Sequence, residues 1–147
     1  TMDIAIDDPE RGYSLSLPNT TPGGQSVSVQ TGVRRGAHVL HAEVPDQHEL
    51  YFEVTTYPSR CDHAELAAEQ LVFLRERSPG GRTTASATGR VGRFTGTTFD
   101  FSGPLQGRFK TRRFLFVDAN TRTYRVVFDP TSALNLNVLD RLVLAPS

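Results

Sequence analysis

Apolar and polar residues alternate along most of this chain, and the alternation breaks in two places. The run YSLSLP, beginning at Tyr13, has the two-residue period of a strand with one buried face and stops at Pro18. Residues 19–24 are turn chemistry throughout, and strands are expected over residues 26–31, 38–44 and 50–57. Arg34-Arg35-Gly36 and Pro45-Asp46 punctuate them as hairpin loops, and such short connections imply antiparallel neighbours.

At Asp62 the period changes. Asp62 is placed to cap a helix and Glu65, three residues on, to reach back, a variant of the capping box. Ala64, Ala67, Ala68, Leu71 and Leu74 form the expected buried stripe, widened by Leu66 and Phe73. Acids come early and bases late, as the helix dipole prefers, and Ser78-Pro-Gly-Gly ends the helix.

Strand texture then returns over residues 83–129, in GRVGRFTGTTFDFSG and GRFKTRRFLFVDANTRTYRVVFD. A second helix is expected from Asp129-Pro130, with Ser132 as the alternative start, toward Arg141. Leu136, Leu139, Leu142 and Val143 are its expected core side. The order is strands, helix, strands, helix.

This order and texture resemble the PsbP/Mog-like family, which includes bacterial DcrB-type and secretion-associated relatives. The matching features are the early YSLSLP strand, ELYFEVTTYPS leading into the helix DHAELAAEQLVFLRE, and the glycine-marked hairpin GRVGRFTGTTFDF. The closing TYRVVFDPTS and the terminal VLDRLVLAP match as well. The resemblance implies an α+β fold: an antiparallel β-sheet flanked by helices in a three-layer α/β/α sandwich. It implies protein binding as the commonest use, and it transfers no functional residue.

Length and composition agree with a folded chain. The 147 residues suit a single domain over 1–147, with an apolar fraction of 37% gathered in periodic runs. No apolar run approaches the roughly 20 residues of a membrane-spanning helix. The first eleven residues are acidic and lack an apolar signal core, so the expected compartment is the cytoplasm. A mature exported domain, its signal removed, is the alternative. Cys61 is the only cysteine, which excludes an intrachain disulfide and a thiolate cluster; before a helix it is expected to be a small filler.

Net charge is zero but unevenly spread. Up to Ser78 there are 12 acidic and 6 basic residues; beyond it there are 4 and 10. The excess concentrates in Arg82, Arg90, Arg93, Arg108, Lys110, Arg112, Arg113, Arg122 and Arg125, and Arg90, Arg93, Arg108, Lys110, Arg112 and Arg113 form the candidate partner-binding surface, suited to an acidic protein. A solvated face, neutralised by the acidic first half, is the alternative. The arginines lack the aromatic-plus-glycine signature of an RNA-binding sheet, which argues against nucleic acid as partner.

No enzyme motif emerges. Gly89, Gly92 and Gly96 match neither the phosphate loop nor the dinucleotide fingerprint and are expected to serve sheet geometry. His38, His41 and His48 lie near Glu43, Asp46 and Glu49, yet His38 and His41 are three apart on a strand and so point to opposite faces. No catalytic, cofactor or metal residue is assigned. The expected function is a non-enzymatic protein-binding module, an adaptor, chaperone or assembly factor, with Tyr51, Tyr57, Phe99, Phe101, Phe114 or Phe116 as possible anchors. The alternative is a small apolar ligand held between sheet and helix.

Overall fold

The computed structural model describes residues 2–144. Strands β1 (Ile4–Asp8) and β2 (Tyr13–Leu17) form an antiparallel hairpin, and β11 (Val143–Leu144) pairs with the other side of β2. The remaining strands build an eight-stranded sheet in the order β3 (Ser28–Arg34), β4 (Ala37–Glu43), β5 (Tyr51–Thr56), β10 (Arg122–Phe128), β9 (Arg108–Ala119), β8 (Phe94–Leu105) and β6 (Arg82–Thr83). Strand β7 (Ala87–Val91) also pairs with β8. Every pairing is antiparallel.

Helix α1 (His63–Arg77) lies on one face of the large sheet, over Phe99, Phe101, Phe114, Phe116 and Val127. The opposite face, with Leu40, Phe52, Val54, Leu115, Val117, Val126 and Phe128, packs on Tyr13, Leu15 and Leu17 of β2 and on Val138 of α2 (Ala133–Asp140). The expected three-layer α/β/α sandwich is therefore wrong. The third layer is mainly a small β-sheet, and α2 is a two-turn helix beside it. The physical reason lies at the chain ends. Ile4 and Ile6 of β1 pack against the core, and β11 takes Val143, which helical spacing places on the core side of the second helix, together with Leu144.

Helix α1 begins where the sequence places it. The Asp62 carboxylate accepts from the Ala64 and Glu65 amides at 3.0 and 3.3 Å, and Ser78 closes the helix. Its buried face is rotated from the expected stripe: Leu66, Ala67, Leu71 and Leu74 pack inward, whereas Ala64, Ala68 and Phe73 are exposed. Gln70 takes the inward place instead.

Helix α2 starts at the alternative position, after Ser132. Asp129 instead accepts from the Thr131 amide and hydroxyl at 2.9 and 2.6 Å, an Asx-type turn that holds the chain out of helix. The buried side of α2 is Asn135 and Val138, while Leu136 and Val143 are exposed.

The glycines of the β7–β8 hairpin serve sheet geometry, as expected. Gly92 has φ of +56° in the turn, and a Cβ on Gly96 would stand 1.7 Å from the Phe116 carbonyl oxygen.

Candidate functional site

Helix α1 covers only part of its sheet face. It packs on β8 and β9, which leaves the half nearer β4, β5 and β10 open beside it. On that half the inward alternation of the strands presents polar groups: His41 and Glu43 from β4, Tyr51 and Glu53 from β5, Arg125 from β10 and Arg112 from β9. Between these residues and the C-terminal half of α1 runs a groove of about 420 Å³. Arg34, Arg77, Lys110, Arg112 and Arg125 line it, with Glu53 as the one carboxylate. Phe73, Leu74, Leu105, Phe114 and Val127 supply its apolar wall.

Two networks hold the charged floor in place. The Arg125 guanidinium donates to Glu53 at 2.5 Å and to Gln70 of α1 at 2.7 Å, which explains the inward rotation of Gln70. Arg112, 4% exposed, donates to the Gln47 side chain at 2.9 Å and stands over the Tyr51 ring, 3.9 Å from its centre. Asp129 lies 3.9 Å away, and the Tyr51 hydroxyl donates to Glu53 at 3.4 Å, which links the two networks. The His41 ring also packs on Tyr51, tilted by 58° with ring centres 5.0 Å apart.

Electrostatics follow from this crowding. Burial and the Glu53 charge push the Tyr51 phenol up to about 12, although Arg112 and Arg125 oppose them. Burial holds Arg112 below the usual guanidinium range. Lys110 is lowered as well, first by burial and then by the positive charges of Arg112 and Arg108, with Glu43 opposing. Lys110 therefore sits in a field of its own sign, where an anion relieves repulsion.

The six basic residues singled out from sequence do not share one surface. Arg108, Lys110 and Arg112 alternate along the α1 face of β9. Arg113 points to the other face and is neutralised by Asp100 through two bonds of 2.8 and 3.0 Å, which raise its pKa. Arg90 and Arg93 are exposed on the β7–β8 hairpin, where Arg93 stacks on Phe94. Arg108 reaches the Asp46 carbonyl at 3.3 Å, and Lys110 donates to the Gln106 side chain at 3.2 Å.

Of the aromatic candidates, the four phenylalanines are core, with Phe99 and Phe114 stacked 5.1 Å apart. Tyr51 and the edge of the core at Phe114 line the groove, and Tyr57 is half-buried. His38 and His41 lie on opposite faces of β4, aligned with Thr56 and Glu53. Cys61 is half-exposed and its amide donates to Thr123.

Glu53, Gln70, Arg34 and Arg77 were not singled out as site residues from sequence, and Arg125 only as a member of the basic strand block. The one available signal was Glu53 itself, a charge at an inward position of the otherwise apolar run LYFEVTT.

No protein-family profile and no curated protein matches the chain. Among solved structures the likeness is to PsbP-type proteins, and the chain has a PsbP-like fold. The solution structure of cyanobacterial PsbP (CyanoP) from Synechocystis superposes with a TM-score of 0.61 at 9% identity, over 96% of this chain and 91% of that one. Identity so low establishes the fold alone. PA94, a protein of unknown function from Pseudomonas aeruginosa, aligns at 13% identity over 98% of both chains with a TM-score of 0.47. The Mog-like and DcrB-type sides of the resemblance are not shown.

Proposed function

We propose that this protein is a non-enzymatic binding module whose groove beside α1 holds an acidic segment of a partner protein. One observation carries the reading: five basic side chains and a single carboxylate line the groove, and that carboxylate is already engaged by Arg125 and Tyr51. A negative segment laid along Lys110, Arg77 and Arg34 gains attraction from a site whose charges are not balanced internally. Phe73, 45% exposed, and Leu105 offer the same segment an apolar anchor point. The favoured ligand is thus acidic with a large apolar residue, in extended or helical form.

A small apolar ligand between sheet and helix fits less well. The space under α1 is filled by Phe99, Phe101, Phe114 and Phe116, and the open part of that face is charged. No helix among the described residues is long and apolar enough to cross a membrane.

The test is fluorescence anisotropy with a labelled peptide of Glu and Asp residues around one Leu, against a Lys-rich control. Lys110→Glu combined with Arg77→Glu is expected to weaken acidic-peptide binding by about tenfold or more, whereas Arg90→Glu with Arg93→Glu leaves it unchanged. Equal binding of the two peptides, or a loss caused only by the hairpin substitutions, overturns the proposal.

A further inference from the structure

The eight-stranded sheet ends in β3, and its outer edge is the longest unguarded edge among the described residues. The other edges are blunted in the usual ways. Strands β6 and β11 have two residues each, β1 ends in Asp7 and Asp8, and β7 has five residues. Strand β3 has seven residues, SVQTGVR, with neither proline nor lysine. It pairs residue for residue with β4 from Ser28↔Glu43 to Arg34↔Ala37, so no bulge turns the edge away. Val33 is 74% exposed on it. Every second residue of β3 turns its backbone donor and acceptor to that outer side, where no neighbouring strand lies.

The sequence of β3 is complementary to itself. Laid antiparallel on a second copy with Thr31 on the two-fold axis, Val33 falls opposite Val29, Gly32 opposite Gln30 and Arg34 opposite Ser28. All seven residues are used, and each cross-strand pair keeps its side chains on one face. Val29 already packs on the core, so the partner's Val33 gains an apolar neighbour where it now meets solvent. Gly32 has open space where its Cβ would be, which leaves room for the Gln30 side chain from the opposite copy. Arg34 would lie across the short Ser28 from Glu43, because Ser28 and Glu43 share a rung. That gives two symmetric attractions between copies.

We propose that the β3 edge is a two-fold dimer interface, with a second copy of this chain as occupant. The pairing joins the two large sheets into one. The axis runs perpendicular to the sheet, so both α1 faces, and hence both cationic grooves, open on the same side. Two grooves on one side suit a partner with two acidic segments. The interface itself stands whether or not the groove binds such segments.

The experiment combines sedimentation equilibrium with disulfide trapping in a Cys61→Ser background. A concentration-dependent dimer is expected, and Thr31→Cys should cross-link to itself on oxidation whereas Ser28→Cys does not. Should Thr31→Cys fail to fold, a mixture of Val29→Cys and Val33→Cys chains is expected to give the mixed dimer instead. Val33→Glu, with an unchanged circular dichroism spectrum, should weaken the dimer by about tenfold or more. A chain that stays monomeric up to about 1 mM overturns the proposal, as does a dimer that neither trap captures.

Discussion

The two faces of the large sheet are covered to different extents, and the difference locates the chemistry. One face is sealed by β1, β2, β11 and α2 over an apolar core that includes Leu40, Phe52, Leu115 and Val126, and Arg113, which is placed on it, is neutralised by Asp100. The other meets a single helix, apolar beneath it and charged beside it. The same strands thus carry Phe52, Val54 and Phe128 toward one side and Glu53 and Arg125 toward the other. Charges were accepted where the helix ends, and their fixed positions come from the packed side behind them.

The sharpest break in this comparison is on the sealed face. Phe52 and Phe128 stack there with ring centres 5.7 Å apart, and Phe52 is fully buried. Phe52→Ala is expected to cost about 4 kcal/mol in urea unfolding, through lost transfer energy and the cavity left behind.

Slightly smaller is the effect of Arg125→Ala, which strands Glu53, itself 7% exposed, without its cation. A loss of about 3 kcal/mol is expected. The double replacement Glu53→Leu with Arg125→Leu should recover most of it, since neither charge then remains buried. A double variant as unstable as the single one would show that the pair's geometry, and not its desolvation, matters.

These residues also show what the sequence could and could not reveal. The cap at Asp62, the hairpin strands and the glycine-marked β7–β8 turn are local, and their chemistry lies within a few residues. Glu53 and Arg125 are 72 residues apart, and nothing in either neighbourhood marks the pair. The face of α1 was misread because alanine tolerates either side of a helix, whereas Gln70 faces inward to meet Arg125. The third layer was misread for a related reason. Leu139, Leu142 and Val143 keep helical spacing, but the chain leaves the helix after Asp140 to reach β2, and only β2's exposed edge explains why. The basic block divided because successive residues of β9 alternate between faces, so Arg112 and Arg113 could never act together.

Tyr51 gives a pH-dependent test. Its pKa rises from 10.0 in the unfolded chain to about 12 in the fold. The neutral phenol is favoured by folding, so its contribution is fully present below pH 10 and is lost as pH climbs from 10 toward 12. Tyr51→Phe should flatten the fall in stability over that window in denaturant titrations at graded pH. An unchanged slope would remove Tyr51 from the coupled network.

The smallest expected effect on stability is at Lys110, which is partly exposed and holds only Gln106. Lys110→Glu should shift unfolding by no more than about 0.5 kcal/mol. Arg112→Glu, by contrast, places a carboxylate in a site 4% exposed and is expected to destabilise the fold, so Lys110 and Arg77 serve as the clean probes of binding.

The most direct measurement is an amide-shift titration by nuclear magnetic resonance with the acidic, leucine-bearing peptide at two salt concentrations. The expected result is a set of shifts at Glu53, Phe73, Arg77 and Lys110 that weakens as salt rises, with the sealed face at Leu15 and Leu17 undisturbed. Shifts centred on the Arg90 and Arg93 hairpin, or none at all, would contradict a binding groove beside α1.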